Sequence, residues 1–171
     1  MIDPLPFHPI YDYSYDGIMR SFEDGLQRLG LEHIDILLVH DIGEFQHGEE
    51  NYRHFKDLSE TGYKAMDELR NNNVVKAIGL GVNENQVCLD ALEIGNWDVF
   101  LLAGRYTLLE QTPLDSLFPK CKNAGTSITV TATLSGATDE AVTVALSTSG
   151  TATEGTDYTD GSGNVDDITI S

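Results

Sequence analysis

The chain has 171 residues, and its 28 Asp and Glu against 10 Lys and Arg give a formal net charge of −18. Nucleic acids and anionic membrane surfaces bind proteins through clustered Lys and Arg, so this charge argues against both kinds of partner. No stretch has the apolar length of a membrane span, and the first residues lack the basic and apolar regions of a signal peptide. We therefore expect a cytoplasmic protein.

The charge is unevenly distributed along the chain. All Lys and Arg lie between Arg20 and Lys122, and the 49 residues that follow contain seven acidic residues and eighteen Ser or Thr. So large a change in charge and in Ser and Thr content predicts two pieces of different origin, residues 1–127 and 128–171. The two cysteines, Cys88 and Cys121, lie in apolar contexts without CxxC spacing, which favours buried reduced thiols over a disulfide or a metal site.

The first piece alternates helices and strands. Apolar periodicity predicts helices over 15–30, 62–73, 84–95 and 114–123, and branched apolar runs predict strands over 34–40, 74–82 and 98–102. Gly30 has the position of a helix C-cap, and the strand at 34–40 reads as buried on both faces. This alternation is typical of parallel βαβ units, which occur both in doubly wound sheets and in (β/α)₈ barrels.

Polar side chains follow the ends of all three predicted strands. His40 and Asp41 follow the first strand, Asn83 the second, and Arg105 with Tyr106 the third. In both candidate architectures the chemistry gathers beyond the carboxyl ends of the strands, so these are the candidate site residues.

Several separated motifs of the first piece closely resemble the aldo-keto reductase family, and within it the sugar or aldose dehydrogenase branch. The motifs cover residues 10 to 128 and comprise DYSYDGIMRS at 12–21, LQRLGL at 26–31, IDILLVHD at 34–41, GYKA at 62–65, ELR at 68–70, VKAIGLGVN at 75–83 and AGRYTLLEQ at 103–111. The resemblance implies about four βα units of a (β/α)₈ TIM barrel, an NAD(P) cofactor and a small carbonyl or sugar substrate.

The same resemblance assigns roles to the candidate residues. His40 takes the position of the family histidine that hydrogen-bonds the reacting oxygen, and Asn83 that of the residue holding the nicotinamide carboxamide. Arg105 and Tyr106 follow the strand that lines the nicotinamide pocket. The family's catalytic Asp, Tyr and Lys match no position in this chain, and Tyr13 and Lys64 are not in positions to replace them. We therefore expect no ordinary turnover.

The second piece has the alternation of β structure. Apolar residues alternate with Thr over 128–134 and recur over 142–146, which predicts a hairpin, and a short final run follows at 168–170. The stretches TATLSGATDEAVTV at 131–144 and GTATEGTDY at 150–158 resemble the Calx-beta domain, an immunoglobulin-like all-β sandwich. That resemblance makes Asp157 a weak candidate calcium ligand, because calcium prefers six to eight oxygens.

Other interpretations compete with these. A cluster of His40, Asp41, His47, Glu49 and Glu50 could bind a divalent ion, although a solvated acidic loop is the favoured interpretation. For the whole chain we favour a fragment of an NAD(P)-dependent aldo-keto reductase joined to a Calx-beta-like piece and catalytically inactive. The alternatives are a calcium-dependent adhesion module and residual nicotinamide-nucleotide binding. An incomplete barrel also leaves unpaired strand edges, which predicts self-association.

Overall fold

The computed structural model describes residues 9–107, 109–130, 142–145 and 167–170. The chain divides into two compact units, Met1–Thr131 and Ala132–Ser171. The first unit contains seven short to medium α-helices and a four-stranded sheet in its described part, and the second contains two described strands. None of the helices in the described ranges is long and apolar enough to cross a membrane.

Helix α1, Tyr15–Leu29, begins and ends at the residues that its sequence indicates. Ser14 caps the amino end, since its Oγ accepts a hydrogen bond from the backbone N–H of Gly17 at 3.2 Å. Gly30 ends the helix in the left-handed region at φ 65°, where glycine carries no Cβ penalty, and its N–H bonds the carbonyl of Leu26. Ile18 and Phe22 bury the inner side of the helix.

Strand β1, Ile36–His40, is shorter than predicted and is covered on one face only. Val39 is buried and Leu37 packs against the core, but Ile36 is 54% exposed and His40 is also exposed. The prediction of burial on both faces is therefore wrong. The reason is that β1 is an edge strand and helices cover only one side of the sheet, and composition alone does not distinguish this case from a central strand.

The segment after β1 is helical, although the sequence favoured a solvated acidic loop around His47, Glu49 and Glu50. It comprises α2, Glu44–His47, a 3₁₀ turn at Gly48–Glu50, α3, Asn51–Asp57, a π-helical turn at Leu58–Gly62 and α4, Tyr63–Asn71. Within residues 44–61 only Leu58 is buried, whereas the predicted helix α4 buries Ala65, Met66 and Leu69. Packing at so few positions leaves a weak apolar period in the sequence.

The remaining elements of the first unit continue the alternation. They are β2, Ala77–Val82; α5, Asn85–Leu92; β3, Val99–Leu102; α6, Thr112–Asp115; α7, Leu117–Ala124; and β4, Ser127–Thr129. The four strands pair in parallel in the order β1-β2-β3-β4, with Leu38 opposite Gly79, Gly79 opposite Val99 and Val99 opposite Ser127. Sequential parallel order without reversal is that of a (β/α)₈ barrel, whereas a doubly wound sheet reverses its order.

The core lies between the sheet and the helices. Alternate strand residues, including Ile78, Leu80, Phe100 and Leu102, are almost completely buried against helical residues such as Met66. Cys88 and Cys121 are buried and unpaired, as predicted, and burial raises the pKa of their thiols, to about 12 for Cys88 and about 11 for Cys121. The thiols are therefore packing groups.

The second unit contains two described strands. Strand β5, Val142–Ala145, pairs antiparallel with β6, Asp167–Ile170, with Val142 opposite Ile170. Both segments were predicted to be extended, and most of the predicted hairpin between 128–134 and 142–146 lies outside the described residues. Residues Ser127–Thr129 instead form β4 and pair with β3 of the first unit, because they continue the βα alternation that α7 leads into.

Candidate active site

The carboxyl ends of the parallel strands bring the predicted site residues to one edge of the sheet. His40 ends β1, Asn83 follows β2, and Arg105 and Tyr106 lie in the loop after β3. Backbone bonds tie the loops together at this edge, since the N–H of Asp41 bonds the carbonyl of Gly81 at 2.8 Å and that of Ala103 bonds Val82 at 2.8 Å. The prediction that these residues lie at the carboxyl ends of parallel strands is confirmed, and in barrel enzymes that edge carries the active site.

His40 presents an open imidazole at the end of β1. Its side chain is 82% exposed, and its Nε2 lies 3.6 Å from Oδ2 of Asp41. Asp41 adopts φ 45°, in the left-handed region that few residues other than glycine adopt. This conformation turns the chain sharply after the strand and leaves the His40 ring free to contact a ligand.

Arg105 links three of the loops at this edge. Its Nε donates a hydrogen bond to the backbone carbonyl of Asn83 at 2.6 Å, and its guanidinium lies 5.9 Å from the ring centre of Phe45. Its Nη1 is 3.8 Å from a carboxylate oxygen of Glu110. The guanidinium therefore fixes the backbone at Asn83 and carries positive charge at the edge of the site.

The Asn83 side chain is suited to recognising an amide. Its backbone carbonyl is engaged by Arg105, but its side-chain amide makes no hydrogen bond within the described residues. A free carboxamide can donate and accept at once, which is the complement of a nicotinamide carboxamide. Asn83 is half-buried, so such a bond would form with partial exclusion of water.

Tyr13 is a buried residue that hydrogen-bonds the last residue of β1. It is only 6% exposed, and its hydroxyl lies 3.0 Å from the carbonyl of His40 and 2.8 Å from Nε2 of His47. Burial raises the pKa of Tyr13 above its ordinary value, with smaller contributions from Tyr11 and Asp41. Tyr13 is therefore a neutral positioning residue. This role was not apparent from the sequence, because a carbonyl acceptor has no sequence signature.

A group of aromatic rings surrounds Tyr13 on the helical segment after β1. The His47 ring centre lies 4.7 Å from that of Tyr11 and 4.4 Å from that of His54, and the Tyr13 and His54 centres are 5.3 Å apart. Burial, followed by the nearby His54, lowers the pKa of His47 below its ordinary value, although Asp41 and Glu84 oppose the shift. The segment is thus held to β1 through His47, whose Nε2 lies 2.8 Å from the Tyr13 hydroxyl that bonds the carbonyl of His40.

Tyr106 and Glu84 complete the edge. The Tyr106 ring packs edge-on against Phe118 of α7, with centres 5.0 Å apart. Glu84 accepts a hydrogen bond from the backbone N–H of Phe45 at 2.9 Å and so joins the loops after β1 and β2. The part that Phe45 and Glu84 play at this edge was not predicted, since neither belongs to a polar motif at a strand end.

Metal binding is not supported by the geometry of the described residues. In those ranges no three His, Cys, Asp or Glu side chains are grouped closely enough to hold a metal ion. The cluster proposed around His40, His47 and Glu49 is therefore not formed as a metal site. Asp157 lies outside the described residues, so calcium binding there stays a prediction.

The first unit thus has the elements of part of a (β/α)₈ barrel with polar groups at the carboxyl ends of its strands, which is the architecture of a barrel enzyme. A model of the aldo/keto reductase family matches residues 7–147. The chain belongs to the aldo/keto reductase family.

Individual relatives agree with this assignment. The chain is 45% identical over 127 residues to pyridoxal 4-dehydrogenase of Microbacterium luteolum, covering 74% of this chain and 37% of the relative. It is 34% identical over 119 residues to D-threo-aldose 1-dehydrogenase of a Pseudomonas species, covering 69% and 33%. An aldo-keto reductase structure from Bacillus halodurans superimposes with a TM-score of 0.56 at 22% identity, covering 70% and 37%. The chain spans about a third of each.

The comparisons support one of the two predicted resemblances and not the other. The aldo-keto reductase resemblance is confirmed, and the family match continues to residue 147, beyond the expected boundary at residue 127. The Calx-beta resemblance finds no support in them. Alternating Thr with apolar residues is a general property of exposed β structure, so the pattern at 131–144 is weak evidence for any one β family.

Proposed function

We propose that this chain carries the nicotinamide-facing edge of an NAD(P)-dependent oxidoreductase site for small carbonyl or sugar substrates. The observation that carries the proposal is the junction of Arg105 with Asn83. The Asn83 carboxamide makes no hydrogen bond within the described residues, and it follows β2 at the same edge of the parallel sheet as the exposed His40. Relatives named for pyridoxal and D-threo-aldose dehydrogenation support the substrate class.

Each residue has a distinct task in this proposal. Asn83 pairs with the nicotinamide carboxamide, Arg105 holds Asn83 in position, and Tyr106 borders the ring. His40 donates a hydrogen bond to the substrate oxygen at which charge develops, and this contact strengthens as the transition state forms. When bound, the nicotinamide supplies or accepts the hydride.

The same proposal holds that the 171-residue chain alone does not turn over. A group that exchanges a proton with the reacting oxygen must reach it and must have a pKa near the working pH. Tyr13 bonds the carbonyl of His40, but it is buried and has a raised pKa. It therefore cannot take this role.

The test is titration of the purified chain with NADP⁺ and with NAD⁺ by calorimetry. We expect binding that Asn83→Leu abolishes and that Asn123→Leu preserves, because Asn123 is an exposed asparagine on α7, away from the carboxyl edge. Absence of nucleotide binding, or equal loss in both variants, contradicts the proposal.

A second measurement addresses turnover. Incubation with NAD⁺ or NADP⁺ and either pyridoxal or an aldose is expected to leave nicotinamide absorbance unchanged. Turnover that exceeds that of a His40→Ala control would show that the chain contains a complete proton-transfer route, which the proposal denies.

A further inference from the structure

The peptide unit between His40 and Asp41, at the end of β1, is fixed on both sides. The carbonyl of His40 accepts a hydrogen bond from the Tyr13 hydroxyl at 3.0 Å. The N–H of Asp41 donates to the carbonyl of Gly81 at 2.8 Å. The carbonyl of one residue and the N–H of the next belong to the same planar peptide, so these two bonds determine the orientation of the whole plane.

The orientation of this peptide is one that the backbone disfavours on its own. Asp41 has φ 45°, in the left-handed region, and rotation of the peptide plane would return it to negative φ. Backbone conformations of this kind persist only where the surrounding contacts hold them. The bonds to Tyr13 and Gly81 are such contacts, so the loss of either bond is expected to let the plane rotate.

The same peptide determines where the Asp41 carboxylate stands beside the His40 ring. Oδ2 of Asp41 lies 3.6 Å from Nε2 of His40, whose side chain is 82% exposed. Within the described residues, Asp41 is the one carboxylate that lies this close to the His40 ring. Rotation of the peptide would move Asp41 relative to the imidazole, so the direction of the ring depends on the contacts that hold the plane.

The Tyr13 hydroxyl has two partners but only one proton to donate. Besides the carbonyl of His40, it lies 2.8 Å from Nε2 of His47. Burial raises the pKa of Tyr13 above its ordinary value, so the hydroxyl keeps its proton near neutral pH. A backbone carbonyl can only accept, so the tyrosine proton is directed to His40. Both bonds therefore form together only if Nε2 of His47 carries a hydrogen and donates it to the hydroxyl oxygen.

The His47 ring is held in place by its neighbours on two segments. Its centre lies 4.7 Å from that of Tyr11, which is edge-on, and 4.4 Å from that of His54. The Tyr11 hydroxyl accepts a hydrogen bond from Nε2 of Gln46 at 2.8 Å, and the backbone N–H of His47 bonds the carbonyl of Gly43 at 3.0 Å. Helix α2 and the segment before α1 thus determine where Nε2 of His47 lies.

We propose that His47 is a positioning residue for His40 and acts through Tyr13. Nε2–H of His47 donates to the Tyr13 hydroxyl, and the hydroxyl donates to the carbonyl of His40. This relay of two hydrogen bonds keeps the peptide before Asp41 in its left-handed turn. The importance of the relay for a reaction rests on the function proposed above, whereas the relay itself requires no ligand.

The first test is nitrogen-15 NMR of the imidazole rings in the full chain at mildly alkaline pH. These spectra distinguish a ring nitrogen that carries a hydrogen from one that carries a lone pair, and the signals lost in His47→Gln identify His47. We expect the Nε2–H form of His47. Predominance of the Nδ1–H form overturns the relay, because Nε2 would then compete with the carbonyl of His40 for the tyrosine proton. This measurement does not depend on whether a variant folds, because the form is read from the unchanged chain.

The second test is the hydrogen exchange rate of the Asp41 amide, which reports rotation of the peptide. The side-chain amide of Gln places its nitrogen where Nε2 of histidine stands, whereas that of Asn places it nearer to Nδ1. We expect Tyr13→Phe and His47→Asn to accelerate this exchange at least about tenfold, and His47→Gln to change it by less than about twofold. His33→Asn is the control, because His33 is 73% exposed and far from the relay in sequence.

The outcomes separate the relay from the proposed function. Equal exchange rates in His47→Asn and His47→Gln, with helical content unchanged by circular dichroism, overturn the relay, and so does an equal acceleration in His33→Asn. Neither measurement uses a nucleotide. Failure of NAD⁺ and NADP⁺ to bind therefore contradicts the proposed function alone, and the form of His47 and the exchange of Asp41 still decide whether the relay exists.

Discussion

The Nε of Arg105 donates to the backbone carbonyl of Asn83 at 2.6 Å, across two loops that follow neighbouring parallel strands. The side chain that makes this bond is 37% exposed, so solvent reduces its energy. A hydrogen bond from a charged donor is worth about 1.5–3 kcal/mol when well buried, and we take about 1 kcal/mol here.

Replacing Arg105 with Lys tests this contact. We expect Arg105→Lys to lower the free energy of unfolding by about 1 kcal/mol, since an ammonium group keeps the charge but lacks the planar fork that reaches the carbonyl while lying over Phe45. Urea denaturation measures the change. Arg53→Lys is the control, because Arg53 is exposed on α3 and forms no ion pair or hydrogen bond within the described residues. Equal effects would show that the bond contributes nothing.

The Arg70 guanidinium joins α4 to the strands and gives a second prediction. It is 19% exposed and lies 2.8 Å from Asp98 and 2.6 Å from Asp67, while Asp98 also accepts the N–H of Ile78 at 2.8 Å. Burial alone would lower the pKa of Arg70, but the two carboxylates raise it above its ordinary value.

Asp98→Asn removes one charge from this network while keeping its shape. We expect a loss of about 2 kcal/mol in unfolding free energy, because a partly buried guanidinium loses an ionic partner. Glu60→Gln, which breaks the exposed Lys56–Glu60 pair, is expected to cost less than about 0.5 kcal/mol. Thermal and urea unfolding compare the two, and a smaller loss for Asp98→Asn contradicts the network.

The two glycines of β2 predict opposite outcomes for the same substitution. A Cβ on Gly79 would collide with the backbone carbonyl of Val99, whereas one on Gly81 would meet only Leu38 at 3.6 Å, an ordinary contact. Gly79→Ala is expected to destabilise the chain by about 3 kcal/mol or more, since the neighbouring backbone must move. Gly81→Ala is expected to be neutral or stabilising by up to about 1 kcal/mol. Equal unfolding midpoints for Gly79→Ala and Gly81→Ala would contradict the close approach of the Val99 carbonyl to Gly79.

His47 predicts a loss of stability in mild acid. Its pKa is lowered in the folded chain from the ordinary value of 6.5, chiefly by burial and then by His54. The unfolded chain therefore binds the proton at His47 more readily than the folded chain does. The contribution of His47 to the free energy of unfolding is constant above about pH 7 and falls as the pH decreases through about 6.5 toward the folded pKa.

Replacement of this histidine gives the corresponding measurement. His47→Gln is expected to flatten the unfolding free energy between about pH 7 and about pH 5.5, and His33→Gln, at a residue 73% exposed, is expected to leave the slope unchanged. His54→Gln should raise the pKa of His47 in an NMR titration, because it removes the electrostatic contribution of His54 that lowers that pKa. If the dependence of unfolding free energy on pH is the same in His47→Gln as in the unchanged chain, groups other than His47 cause the loss of stability in acid.

Helix α1 and the parallel direction of the strands could be predicted because their signals are local, whereas the same alternation left the order of the strands open. Ser14 and Gly30 mark the ends of α1 by their own chemistry, and the βα alternation requires parallel neighbours. The site edge followed from the same rule, since parallel strands present their carboxyl ends together. The position of each strand in the sequence, its parallel direction and the edge of the sheet that carries the candidate site are thus determined by short segments of the chain.

Three features depended on contacts between distant segments and were missed or wrong. The exposed face of β1 depends on which elements lie beside it, and Ile36 has the same composition signal whether covered or not. The helices at 44–57 depend on contacts of a few residues with the core. The Arg105 bond goes to a backbone carbonyl that every residue possesses, so no side chain at position 83 reveals it.

Strands β2, β3 and β4 each pair with the strand that comes directly before them in the chain. None of these described strands must wait for a partner from the far end of the molecule, so the sheet can grow one βα unit at a time during synthesis. Pairing of this kind closes only the loop spanned by the intervening helical segment, which keeps the entropic cost of each step small. The topology therefore allows this sheet to assemble in the order of translation, with β1 and β2 able to pair first and β4 the last of its four strands to join.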